Sequence, residues 1–249
     1  MTFLIARPTD KAEKTAAFFR QSGLQAQALP IIDIELATRN SLIEQLNNTT
    51  PNYLIVTSTY AALWLISIIT AQKLILDFSH TTFVCVGKAS AALVQAISHK
   101  YNVVVASPEN SEGLLQSDCL QTVNNANIVV LKGEGGRDLI ASTLVQQNAN
   151  VSALNVYKRV TNIQAIRAFT FEPSQIKCII ATSIEITELL LANMDHSGLA
   201  SCFWIVASER IKDYAYKNGI QHISVSQGAG NQALLACANQ LVNTGVVHD

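Results

Sequence analysis

The stretch LIVTSTYAAL, residues 54–63, returns half a chain later as IIATSIEITELL, residues 179–190. Each is an apolar run that stops at a Thr-Ser pair, Thr57-Ser58 or Thr182-Ser183, and passes directly into a helical pattern. A continuous apolar run of this length reads as a buried parallel strand, and a hydroxyl at its end is a common helix cap. The repeat extends to both sides. FLIARP then LQAQALP, within residues 3–30, matches IVVLKGEGGRD then NVSALNVY, within residues 128–157. From each Thr-Ser pair a second block runs through FVCVGKAS (83–90) or FWIVASER (203–210). The order is therefore A-B-A′-B′, each A a strand-helix-strand and each B three strands with helices.

Short β-branched runs alternate with helical patterns along the whole chain, which predicts an α/β protein with parallel sheets. Strands are expected near 2–6, 25–29, 52–57, 81–86, 102–105, 127–131, 151–155, 176–181, 202–206 and 222–225. Helices are expected over 10–21, 137–147 and 231–242, among others, with Gly23 and Gly245 beyond the first and last of these. Block B joins A′ through only TVNNAN, 122–127, whereas A–B and A′–B′ are separated by the longer segments 31–51 and 157–175. Short joins keep neighbouring βαβ units together. B and A′ are therefore expected to form one lobe, 37–158, inserted into another made of 1–34 and 163–249.

Composition narrows the function. The chain has 249 residues, 49% hydrophobic and 14% charged, with a formal net charge of −1. That suits a folded globular protein and argues against nucleic-acid binding through a basic surface. The five cysteines are scattered without a C-x-x-C, which predicts buried thiols in a reducing cytoplasm. The histidines show no metal-ligand spacing, so no metal is expected. MTFLIARP is too short for a signal peptide, and the apolar run 61–69 is too short to span a bilayer.

Ligands of parallel α/β sheets bind beyond the carboxyl ends of the strands. That rule selects Arg7, Thr57-Ser58, Gly87-Lys88 with Ser90, Lys132 to Arg137, Thr182-Ser183, and Ser208 with Arg210. These turns expose free N–H groups at helix starts, which receive carboxylate or phosphate. Capping alone would account for each hydroxyl, but matched sets at corresponding points of a repeat favour a ligand cleft. LKGEGGRD, 131–138, lacks the third glycine of G-x-G-x-x-G, because Asp138 stands there, and is not a P-loop. It reads as a glycine-rich anion turn built on Gly133 and Gly135 with cations Lys132 and Arg137, or as a sterically required tight turn. In NVYKRV, 155–160, Tyr157 either packs or projects a phenol into the cleft. Ser111 reads as the N-cap of a helix beginning at SEGLL. No G-x-S-x-G elbow, triad or catalytic carboxylate pair is evident.

Taken in order, ARP, VTSTYA, VGKASA, SEGLL, LKGEGGRDLI, NVYKRV and ATSIEI resemble the uroporphyrinogen-III synthase family across essentially the whole chain. The resemblance implies two flavodoxin-like α/β lobes, one inserted in the other, joined by a two-stranded ladder near 33–37 and 156–160. It implies a reaction without a cofactor; composition and surface pattern add the expectation of a cytoplasmic monomer, in transient contact with neighbouring pathway enzymes. The implied reaction converts linear hydroxymethylbilane, which carries eight carboxylates, to the macrocycle with loss of water and inversion of ring D through a spiro intermediate. The family's tyrosine falls on Tyr157, as proton donor to the leaving hydroxyl. This chain departs from the family at Ala6, Tyr60, Glu185 and the turn Ser208-Glu209-Arg210. A non-catalytic two-lobe protein closing on a small anion is the rival reading, and a synthase-like regulator without activity is a lesser one.

Overall fold

Apolar runs too short for helices, each followed by a hydroxyl, glycine or charged turn, become the strands. The computed structural model describes residues 2–38, 40–71, 77–97, 99–136 and 138–245. In chain order the elements are β1 (Thr2–Pro8), α1 (Thr9–Gln21), β2 (Gln25–Leu36), α2 (Asn40–Asn47), β3 (Tyr53–Val56), α3 (Thr59–Thr70), β4 (Thr82–Cys85), α4 (Lys88–Ile97), β5 (Asn102–Val105) and α5 (Ser111–Leu115). They continue as β6 (Asn127–Gly133), α6 (Leu139–Gln146), β7 (Asn150–Thr161), α7 (Ile163–Ala168), β8 (Ile176–Ala181), α8 (Ile184–Asn193), α9 (His196–Ser201), β9 (Phe203–Val206), α10 (Glu209–Lys217), β10 (Ile223–Val225) and α11 (Asn231–Asn243). The described chain divides into two compact units, Met1–Asp33 with Val160–Asp249, and Ile34–Arg159.

In the first unit the strand order is β10-β9-β8-β1-β2, with parallel pairing from β10 through to β2. Numbered within the unit this is the 2-1-3-4-5 order of flavodoxin-like sheets. Both faces are buried, so the strands alternate between two cores. Leu4, Ala6, Ile179, Ala181 and Trp204 meet α8, α9 and α10 through Ile186, Leu190, Leu199 and Ala215. Phe3, Ile5, Cys178, Ile180 and Ile205 meet α1 and α11 through Ala16, Phe19, Leu234 and Leu241.

In the second unit the order is β7-β6-β3-β4-β5, again parallel. Counted from β6 it is the same 2-1-3-4-5 order with the chain entering at a different strand. An insertion produces that permutation: B is made first, and A′ then completes its sheet on the far side of β3. Leu54, Val56, Val129 and Leu131 face α3 and α4, and α3 presents Ala61, Trp64, Leu65 and Ile68 at helical spacing. Ile55, Ile128 and Val130 face α5 and α6 through Leu114, Ile140 and Leu144.

Two strands run longer than their sequence pattern. β2 extends to Leu36 and β7 to Thr161, instead of ending near 29 and 155. Pro30 lies just before a register shift, where Arg7 faces Pro30 and Pro8 faces Ile32; lacking an N–H, it reads as a terminator but is accommodated at this irregularity. Beyond it the chain finds new partners. In the second unit Ala37 N–H donates to Val156 O at 2.8 Å and Lys158 pairs with Glu35 at 2.8 Å. In the first, Asn162 N–H donates to Ile31 O at 3.0 Å. The two strands thus run antiparallel where the chain passes between units.

Candidate active site

The crevice of an open parallel sheet lies where connections leave in opposite directions. In the second unit that place is between the carboxyl ends of β6 and β3. Gly133 ends β6, Thr57-Ser58 follow β3, and Tyr157 comes from the neighbouring β7. A register shift between Lys132 and Gly133 leaves Val156 without a partner on β6 and sets Tyr157 opposite Gly133. Such a bulge re-aims a side chain. The Tyr157 ring lies directly over Gly133: a Cβ there would come within 2.6 Å of ring carbon Cζ and 2.9 Å of the hydroxyl.

The phenol is held from two further sides. Ser58 Oγ donates to Tyr157 Oη at 3.1 Å and accepts from Ala61 N–H at 3.2 Å, so one serine caps α3 and orients the tyrosine. The Tyr60 ring meets Tyr157 at a centroid distance of 5.4 Å, tilted by 56°. Thr57 Oγ1 donates to Leu131 O at 2.8 Å, tying β3 to β6 beside the phenol. Two hollows flank Tyr157. One of about 380 Å³ is bordered by Thr57, Asn110, Lys132, Glu134 and Arg159. The other, of about 420 Å³, is bordered by Glu35, Thr38, Glu134, Asn155 and Lys158.

The glycine-rich turn folds around its own lysine. Lys132, 9% exposed, donates from Nζ to Gly136 O at 3.0 Å and pairs with Asp138. Gly135 takes a φ of 70°, a conformation that favours glycine. Because the Asp138 carboxylate goes to Lys132, it does not cap, and α6 starts at Leu139 rather than at 137. Arg137 lies outside the described residues. The turn at 87–90 is likewise satisfied internally. Lys88 N–H donates to Glu109 Oε2 at 2.9 Å, its Nζ lies 3.8 Å from Oε1, and buried Ser90 donates to Gly87 O at 2.8 Å. The cap of α5 is Asn110, whose Oδ1 accepts from Gly113 N–H at 2.7 Å, and not Ser111. Ser111 is the first helical residue, because the extended backbone a cap needs occurs one position earlier.

In the first unit the equivalent crevice lies between β1 and β8. Arg7 is turned inward there, 5% exposed: Nη1 donates to Thr15 Oγ1 at 2.7 Å and Asn231 Oδ1 at 3.0 Å, and Nη2 to Ala229 O at 2.9 Å. Burial pulls its guanidinium below the ordinary value, with Asp10 opposing. The cation expected to bind a ligand instead fastens β1 to α1 and to the turn before α11. Ser183 caps α8, its Oγ accepting from Ile186 N–H at 3.2 Å. Ser208 stands at the start of α10 with no side-chain cap bond. Arg210 is exposed on the first turn of α10.

Three contributors have no role of their own in the sequence reading. Glu134 lies inside the selected turn 132–137 without being singled out, Glu109 lies in a loop without a motif, and Tyr60 stands out only as a departure from the family. Among the described residues no group of three or more His, Cys, Asp or Glu side chains could hold a metal ion, and no helix is long and apolar enough to cross a membrane.

Residues 13–236 match the family model described as uroporphyrinogen-III synthase HemD. The chain is 28% identical to the Salmonella typhimurium uroporphyrinogen-III synthase over 94% of its own length and 98% of the relative's. It is 29% identical to the Escherichia coli (strain K12) uroporphyrinogen-III synthase over 61% of its own length, spanning 65% of that relative. Its fold is similar to the crystal structure of uroporphyrinogen-III synthetase from Helicobacter pylori 26695, with a TM-score of 0.64, 13% identity and coverage of 96% and 98% of the two chains. It is also similar to a mutant uroporphyrinogen III synthase from Thermus thermophilus, with a TM-score of 0.60, 13% identity and coverage of 98% and 99%. With the family model matched across most of its length, the chain belongs to the uroporphyrinogen-III synthase family.

Proposed function

We propose that this chain cyclises linear hydroxymethylbilane to uroporphyrinogen III, with loss of water and inversion of ring D. The observation that carries the residue assignment is the Tyr157 phenol, held over Gly133 and accepting from Ser58 in the crevice of the second unit. The hydrogen bond between Ser58 Oγ and Tyr157 Oη and the seat of the ring over Gly133 fix the phenol where it lines both hollows, within reach of a ligand. Tyr157 then protonates the departing hydroxyl of the substrate, which leaves as water. Positioned acids of this kind contribute on the order of 10²–10⁴-fold.

The remaining acceleration is geometric. The linear substrate closes unaided to the uninverted isomer, so the protein chiefly imposes which carbon attacks. Well-oriented intramolecular attack supplies about 7–11 kcal/mol without a nucleophile or cofactor. Substrate carboxylates are received by strand-end donors. In the second unit these are the N–H groups of Gly133 and Gly135, with Arg137 following in the chain. In the first they are Thr182, Ser208 and Arg210. Arg7, Thr57, Ser90 and Lys132 serve instead to shape the turns, since their polar groups are engaged within the protein, whereas the exposed Lys88 ammonium stays among the receivers. The reading includes a cytoplasmic monomer that passes its product on through transient contact with neighbouring pathway enzymes.

The test is direct: incubate the purified protein with hydroxymethylbilane, oxidise the products, and resolve the type I and type III isomers. Type III formed at a rate proportional to protein is expected. Type I alone, at the spontaneous rate, would leave only a binding role.

A further inference from the structure

We propose that Glu134 is a further catalytic residue of that reaction, its carboxylate accepting a pyrrole N–H and offsetting the positive charge that develops as the hydroxyl leaves beside Tyr157. The proposal rests on the synthase reading above. Its basis is the charge arrangement around the phenol. Glu134 and Tyr157 are the two residues common to both flanking hollows. The Glu134 main chain is fixed, its N–H donating to Tyr157 O at 2.8 Å, while its side chain is exposed. Among the described residues that carboxylate has no hydrogen bond or ion pair.

The neighbouring lysines are already matched. Lys132 is held by Asp138 and Gly136 O, and Lys158 by Glu35. Glu112 and Arg159, which border the first hollow, each have an interaction already. The residue that lines both hollows together with Tyr157 therefore carries a negatively charged acceptor left unmatched among the described residues. An acetate or propionate of the substrate would be repelled there. A pyrrole N–H, and still more a pyrrole that has become cationic, fits it.

The step balances without another reactant. The C–O bond of the hydroxymethyl group breaks with its electron pair on oxygen, which takes the Tyr157 proton and departs as water. The electron pair of the pyrrole nitrogen delocalises toward the methylene carbon and leaves a cation whose N–H donates to Glu134. After ring closure, the proton lost from the terminal ring returns to the tyrosine oxygen.

The test compares wild type with Glu134→Gln and Glu134→Asp in single-turnover and steady-state assays with hydroxymethylbilane. Glutamine keeps the size and an acceptor but removes the charge. Its turnover is expected to fall about 10- to 100-fold, with KM unchanged or lower because a repulsion with the polyanionic substrate is gone. Aspartate is expected to fall between the two. Wild-type turnover in the glutamine variant, or a raised KM, overturns the assignment while type III formation by wild type leaves the synthase reading intact. Failure of wild type to form type III overturns both.

Discussion

At the scale of single residues, the site depends on one glycine and one serine that place one phenol. Tyr157→Phe keeps the ring over Gly133 and removes the proton, so turnover is expected to fall about 100-fold or more while KM changes little. Single-turnover rates equal to wild type would remove Tyr157 from the chemistry. Gly133→Ala puts a methyl group where Cζ now lies 2.6 Å away, so the ring must move. Activity is expected to drop with far-UV circular dichroism unchanged; full activity would show that the ring's position does not matter. In NVYKRV the reading of Tyr157 as packing or projecting stayed open, and a role for it was legible only through the family resemblance. Glu134 was not, because a charged residue between glycines looks like a spacer until the fold shows which walls it shares.

Among elements, the informative case is the tie between β1, α1 and the turn before α11. Arg7 was expected to receive a ligand because it ends a strand, and a cation at a strand end has two possible uses. The structure selects the internal one, since Thr15 and Asn231 reach it first. Arg7→Met removes the bonds to Thr15, Asn231 and Ala229 O, while Thr15 and Asn231 keep their bond to each other at 2.9 Å; a hydrogen bond to a charged group is worth about 1.5–3 kcal/mol. A loss of roughly 2–4 kcal/mol in urea unfolding, with KM nearly unchanged, is expected. A large rise in KM with stability intact would return Arg7 to the substrate. β4 carries a second consequence. Burial pushes the Cys85 thiol up from 9.0 to about 12, the bond with Ser90 opposing. Below pH 9 the thiol is protonated in both folded and unfolded chains. Above it only the unfolded thiol ionises, so stability is lost as pH rises from 9.0 toward about 12. The urea midpoint is expected to fall over that window, and less steeply in Cys85→Ala.

For the whole molecule, each unit has two cores of its own, one on each face of its sheet. The second unit is one continuous segment, Ile34–Arg159, whose ends meet where Ala37 bonds to Val156. Expressed alone, residues 34–159 are expected to fold and to melt cooperatively with native-like circular dichroism. A broad, non-cooperative melt would show that the flanking chain is needed.

The ten strands, the hydroxyl caps of α3 and α8, and the doubled A-B pattern could be read directly, because each rests on interactions between near neighbours in the chain. Ser58 and Ser183 cap helices through N–H groups three residues on. Other features depended on residues far apart. Arg7 meets Asn231, Lys88 meets Glu109, and Ser58 meets Tyr157 only after the sheets have formed. A strand's apolar pattern specifies burial but not its neighbour, so topology decided which cations were neutralised and which residues, Tyr157 and Glu134 among them, came to line the hollows beside Gly133.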